Sequence, residues 1–151
     1  MTAPDYWFYH LESQPLHAVL PVLVEKTLSR GWRACLRFAT AERLETIDAA
    51  LWTYREESFL PHGTARDGHP ERQPIFLTLD GANPNAADVL FLLETATENE
   101  PGRFTRILRL FDGMDAEALA LARTEWRSAK AAGFGVSYWR QDASGAWKKS
   151  A

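Results

Sequence analysis

The stretches Pro74-Ile75-Phe76-Leu77-Thr78-Leu79 and Asp88-Val89-Leu90-Phe91-Leu92-Leu93 carry an apolar residue at almost every position. A strand with one wet face alternates. A run without alternation is buried on both faces, as in a parallel sheet covered by helices. The intervening Gly81-Ala82-Asn83-Pro84-Asn85 is a turn. Upstream, the aromatic-dense segment 5–10 reads as a first strand. Leu16, Leu20, Leu23, Val24, Thr27 and Leu28 then recur at three- and four-residue steps, an amphipathic helix. Ser13 is its expected cap and Gly31 its expected stop; Pro21 fits only near the first turn or at a kink. Residues 32–38 read as a second strand, and Thr40 caps a second helix carrying Leu44, Ile47, Ala50 and Leu51. This strand–helix alternation is the pattern of a βαβ sheet.

Downstream of the decisive runs, 105–111 is expected as a strand, with helix as the alternative, and 115–132 as an alanine-rich helix closed by Gly133. Segments 136–141 and 147–149 complete the chain as short strands or a hairpin around Ser144-Gly145. Residues 52–73 form a long connection rich in Gly, Pro, His and charge, a length that is usually functional or mobile inside a compact domain.

The 151 residues suit a single domain, and 46% apolar content provides for a core. A chain of this size buries about 70% of its unfolded surface. The net charge of -3 argues against a protein that grips DNA over many phosphates. The charge is uneven, however: 116–150 carries six basic and three acidic residues, a surplus of three that leaves -6 on the rest. Such a quarter can steer an acidic partner, or it is ordinary surface charge. Cys35 is the single cysteine, which fits a reducing compartment. With neither a signal-peptide pattern nor an apolar run near about 18 residues, a soluble cytoplasmic protein without membrane association is expected.

Catalytic signatures are missing. There is no Gly-x-Gly-x-x-Gly and no Gly-x-x-x-x-Gly-Lys-Ser/Thr, and the first strand-to-helix junction, Tyr9-His10-Leu11-Glu12-Ser13, contains no glycine to admit a phosphate. His10, His17, His62 and His69 stand in no zinc-type spacing. Cys35, inside an expected strand, reads as a structural thiol. No cofactor, metal or catalytic residue is expected.

Two constellations remain. Arg123, Arg127 and Lys130 stand at i, i+4 and i+7 on the last long helix with Trp126 beside them. Three cations next to an indole suit an anionic group that also bears an aromatic ring; alternatively the cations are a solvated face and Trp126 is core. The second is Leu51-Trp52-Thr53-Tyr54 followed by Ser58-Phe59-Leu60-Pro61-His62, either a small satellite core or a docking patch.

The second constellation carries a resemblance. Trp-Thr-Tyr-x-x-x-Ser-Phe-Leu-Pro-His-Gly over 52–63, preceded by a helix through Leu51, resembles the central motif of the DNA polymerase III chi family. Phe8-Tyr9-His10-Leu11, Gly31-Trp32-Arg33, Gln73-Pro74-Ile75, the run from Asn83 through Leu90, Leu110-Phe111-Asp112-Gly113 and Ala131-Ala132-Gly133-Phe134 follow in the family's order. The resemblance implies one three-layer α/β domain over 1–151, with a central, mostly parallel mixed sheet like that of nucleotide-binding proteins but no nucleotide site. It implies a non-catalytic clamp-loader accessory subunit. One surface would take the acidic, phenylalanine-terminated tail of single-stranded DNA-binding protein, through Arg123, Trp126, Arg127 and Lys130. Another, at Trp52, Phe59, Leu60 and Pro61, would take the psi subunit, so that association with DNA is indirect. Where the family sometimes has a basic residue one turn before Arg123, this chain has Leu119. The competing readings are a nucleotide-dependent α/β enzyme and direct DNA binding by the basic C-terminal quarter.

Overall fold

The computed structural model describes residues 4–53 and 61–151. In chain order these form β1 (Asp5–Leu11), α1 (Leu16–Ser29), β2 (Ala34–Arg37), α2 (Ala41–Trp52), β3 (His62–Gly63), β4 (Ile75–Thr78), β5 (Val89–Leu93), β6 (Arg106–Asp112), α3 (Ala116–Ala131), β7 (Gly135–Gln141) and β8 (Trp147–Lys149). One sheet runs β3-β4-β2-β5-β6-β1-β7-β8, parallel throughout except where β8 returns antiparallel to β7. The two decisive apolar runs become β4 and β5, every residue of which is buried. The strand expected at 105–111 forms as β6, not a helix, and the end of the chain forms the antiparallel pair of β7 and β8.

Strand parity divides the core in two. Tyr9, Leu11, Leu108 and Leu110 face α1 and α2 and pack with Leu20, Val24, Ile47 and Leu51. Tyr6, Phe8, Ile107 and Phe111 face the other way, beneath Ala118, Ala122 and Ala129 of α3. The result is three layers, with α3 on one side of the sheet. Its buried positions are alanines, so its backbone lies close to the strands below.

The helix signals hold at most ends. Thr40 Oγ1 accepts from the Arg43 amide and Asp115 accepts from the Glu117 and Ala118 amides. Gly133, at φ +85°, ends α3: its amide donates to Lys130 and that of Phe134 to Ala129, a Schellman closure. One expectation at α1 is corrected. Ser13 is not its cap; the cap position is Pro15, with no side-chain bond, and the Ser13 hydroxyl donates instead to the Asp142 carbonyl. Pro21 lies past the first turn, buried within a helix that continues to Ser29. The Glu12, Ser13 and Gln14 amides all donate to Oε1 of Gln141, itself 1% exposed. A phosphate would need amides at this junction, and here a side chain from β7 already occupies them.

Candidate functional site

Arg123 and Arg127 stand one turn apart on the exposed side of α3, and Trp126, between them in sequence, is half-buried against the sheet. The indole packs edge-on against Phe8 of β1, ring centroids 5.6 Å apart, and against Tyr138 of β7 at 5.8 Å. Trp126 and Tyr138, backed by the buried Phe8, wall an open pocket of about 400 Å³ that also takes in Arg123, Arg127, His10, Arg140, Ser150 and Ala151. The structure therefore brings Arg123, Trp126 and Arg127 together. Lys130 does not line the pocket; its Nζ stands 5.9 Å from the Trp126 ring centroid, a cation–π contact at the rim. Among the described residues, Arg123, Arg127 and Lys130 have no ion-pair partner. Arg140 is paired with Glu12.

The floor is polar. His10 Nδ1 and the Tyr138 hydroxyl share a hydrogen bond of 2.8 Å, while His10 Nε2 lies 3.5 Å from Glu12. Burial, reinforced by Arg140 and Arg123 against the opposing pull of Glu12, holds the His10 pKa below its ordinary value of 6.5. Gly113 closes the other side of the imidazole: a Cβ there would sit 1.9 Å from His10 Nε2.

A buried ion pair anchors α3 beneath the pocket. Arg109 of β6, 0% exposed, reaches Glu125 with Nε at 2.6 Å and Nη2 at 2.8 Å. Its remaining donors go to the Glu94 and Ala96 carbonyls. Tyr6 donates to the same carboxylate at 2.6 Å, and burial plus Glu125 hold that phenol protonated. With Arg109 fully buried and each of its three nitrogens hydrogen-bonded, this group fixes the helix rather than binding a ligand.

The second constellation is only partly described. Trp52 ends α2, 53% exposed, with its ring centroid 4.3 Å from that of His62. His62 lies 3.0 Å from Asp48, and Pro61 is half-buried beside it. Phe59 and Leu60 lie outside the described residues. Cys35 is fully buried in β2, and burial pushes its thiol up to about 11, so it stays protonated. Among the described residues no three His, Cys, Asp or Glu side chains converge as metal ligands, and no helix is long and apolar enough to cross a membrane.

His10, Tyr138 and Arg140 were not singled out by the sequence reading. Strand parity places 8 and 10 on one face, but that β7 lies beside β1, with Phe8 opposite Tyr138 and His10 opposite Arg140, is a long-range pairing.

Comparison with known proteins settles the lineage. Residues 3–137 match the family model described as DNA polymerase III chi subunit, HolC. This chain belongs to the DNA polymerase III chi subunit family. The chi family comprises replication accessory subunits of the polymerase. Among curated chi-family relatives, a probable DNA polymerase III subunit chi from Rickettsia prowazekii is 31% identical over 89 residues, 59% of this chain and 54% of the relative. The chain thus spans about half the length of that relative. The DNA polymerase III subunit chi of Pseudomonas aeruginosa is 30% identical over 113 residues, 73% of this chain and 77% of the relative.

Proposed function

We propose that this chi-family protein is a non-catalytic cytoplasmic adaptor that binds the acidic, phenylalanine-terminated tail of single-stranded DNA-binding protein and links it to the clamp loader. The reading is carried by two guanidiniums, Arg123 and Arg127, that have no ion-pair partner among the described residues and stand at the mouth of an aromatic-walled pocket. A peptide ending in Phe presents a ring and a carboxylate a few ångströms apart. The ring packs on Trp126 and Tyr138, and the terminal carboxylate forks onto Arg127. Acidic residues upstream lie along Arg123 and Lys130. Trp52, with Phe59, Leu60 and Pro61, is the surface for the psi subunit, and contact with DNA through the tail is indirect.

The test is titration of a fluorescent peptide ending in Asp-Phe into wild type and Arg127→Ala. Micromolar affinity, about -8 kcal/mol, is expected for wild type. It weakens with salt because the cations are exposed. Loss of a charged hydrogen-bonding partner weakens it further, by about tenfold or more, in the variant. A folded wild-type protein that leaves the peptide unbound at low salt overturns the reading.

A further inference from the structure

We propose that the face built from the end of α1 and the starts of β1 and β6, opposite α3, is a contact surface for single-stranded nucleic acid. The Arg106 guanidinium carbon lies 3.9 Å from the Trp7 ring centroid and 5.2 Å from that of Trp32, and Arg30 lies 5.5 Å from Trp32 on its own account. Trp7 continues the aromatic surface to Trp139, 6.2 Å away. Lys26, Arg30 and Arg106 are the charged residues lining the shallow cleft between these rings, and no carboxylate lines it. Among the described residues the ion pair made by this cluster is that of Arg106 with Asp5, 3.9 Å apart. Lys26 and Arg30 also complement the C-terminal dipole of α1, but that accounts for neither the tryptophans nor Arg106.

The shape selects the ligand class. A peptide side chain needs a hole, and this cleft encloses only about 80 Å³, against about 400 Å³ at the α3 pocket. Arg106 already stacks on Trp7 and Trp32, and an unstacked base extends that stack while flanking cations meet the phosphates. A duplex keeps its bases stacked and needs many more phosphate contacts than three cations supply in a chain of net charge -3. The cations involved, Lys26, Arg30 and Arg106, are distinct from those of the basic C-terminal quarter, and the inference is independent of the tail-binding reading.

The experiment is fluorescence anisotropy of a labelled oligothymidylate with the full chain, across a salt series, using wild type, Lys26→Glu/Arg30→Glu, Trp32→Ala and Arg127→Ala. Wild type binds at low salt, with a slope of log affinity on log salt of about -2 for three phosphate contacts. The slope falls to about -0.7 in the double variant, whose exposed side chains leave the fold intact by thermal melting. Trp32→Ala loses at least about fivefold through stacking alone, and a matching duplex binds more weakly than the single strand. No binding by wild type at low salt overturns the proposal. So does binding that survives the double variant and disappears in Arg127→Ala, which moves the site to α3. The same holds if the Asp-Phe peptide, rather than the oligonucleotide, loses affinity in the double variant.

Discussion

His10 sits where a small change of protonation alters the charge of the whole pocket. The residue is 8% exposed, its imidazole is bonded to Tyr138, and the charges acting on it are Arg140 and Arg123 against Glu12 and Asp112. With its pKa held below 6.5, the side chain is neutral at pH 7. In the unfolded chain it takes up a proton at a higher pH, so this group's contribution to stability is present above about 6.5 and declines as pH falls through that interval. Binding has the opposite sign. An acidic tail in the pocket favours the imidazolium, so its arrival draws in a proton, and the tail's own carboxylates stay ionised down to about pH 4. Peptide affinity should therefore rise as pH is lowered from about 7 to about 5. In His10→Gln, which keeps a polar group near Tyr138 but does not titrate, the profile should be flat. Kd measured against pH in both proteins checks this; an unchanged slope in the variant would remove His10 from the site.

In the proposed function the element that matters most is α3, because it carries Arg123, Arg127 and Trp126. Its placement rests on Arg109 and Glu125, a pair that loses its balance if one partner is cut. Arg109→Ala leaves the Glu125 carboxylate without its charged partner and should cost about 3–5 kcal/mol, whereas Arg109→Met, apolar and of similar reach, should cost less. Urea unfolding of the two variants separates the outcomes, and equal losses would mean that the cut ion pair sets the whole cost and that filling the space of the Arg109 stem contributes nothing. The ends of α3 were legible because they use local chemistry: Asp115 bonds amides two and three residues on, and Gly133 takes the φ that side-chain residues avoid. Its tether was not legible, since Arg109 and Glu125 are 16 residues apart on different elements. The start of α1 misled for a similar reason. Ser13 has the composition of a cap, yet its hydroxyl serves a carbonyl 129 positions away while Gln141 serves the neighbouring amides. The two-residue period of β1 puts His10 on the same face as Phe8, but Tyr138, bonded to His10, lies on a strand 128 residues later and becomes a neighbour only once β7 pairs with β1.

At the scale of the molecule, the carboxylates with lowered pKa values set the acid limit. Hydrogen bonds from the Ala82 amide and the Thr78 hydroxyl hold Asp80 below 3.8. At Glu98 burial pushes the pKa up, but the guanidiniums of Arg37 and Arg103 outweigh it and hold it below 4.5. Both contribute stability that is full above those ordinary values and is lost as pH falls through the lower folded ones. Urea midpoints should therefore drop between about pH 5 and pH 3, and less steeply in Glu98→Gln. The three layers also decide how many partners fit at once. The α3 pocket opens on one face of the sheet, whereas Trp52 ends α2, which packs on the other. Two ligands on opposite faces neither touch nor compete unless one moves the sheet between them, and that sheet is a continuous parallel core with every residue of β2, β4 and β5 buried. Trp52→Ala should thus leave the Asp-Phe peptide affinity within about twofold of wild type, because sites this separate behave additively. Arg127→Ala should likewise leave a partner captured at Trp52 in place. Pull-down of the psi subunit and peptide titration on the same two variants read both arms. A loss of peptide binding in Trp52→Ala would show that the two faces are coupled through the core, and simultaneous occupancy would then have to be replaced by exchange.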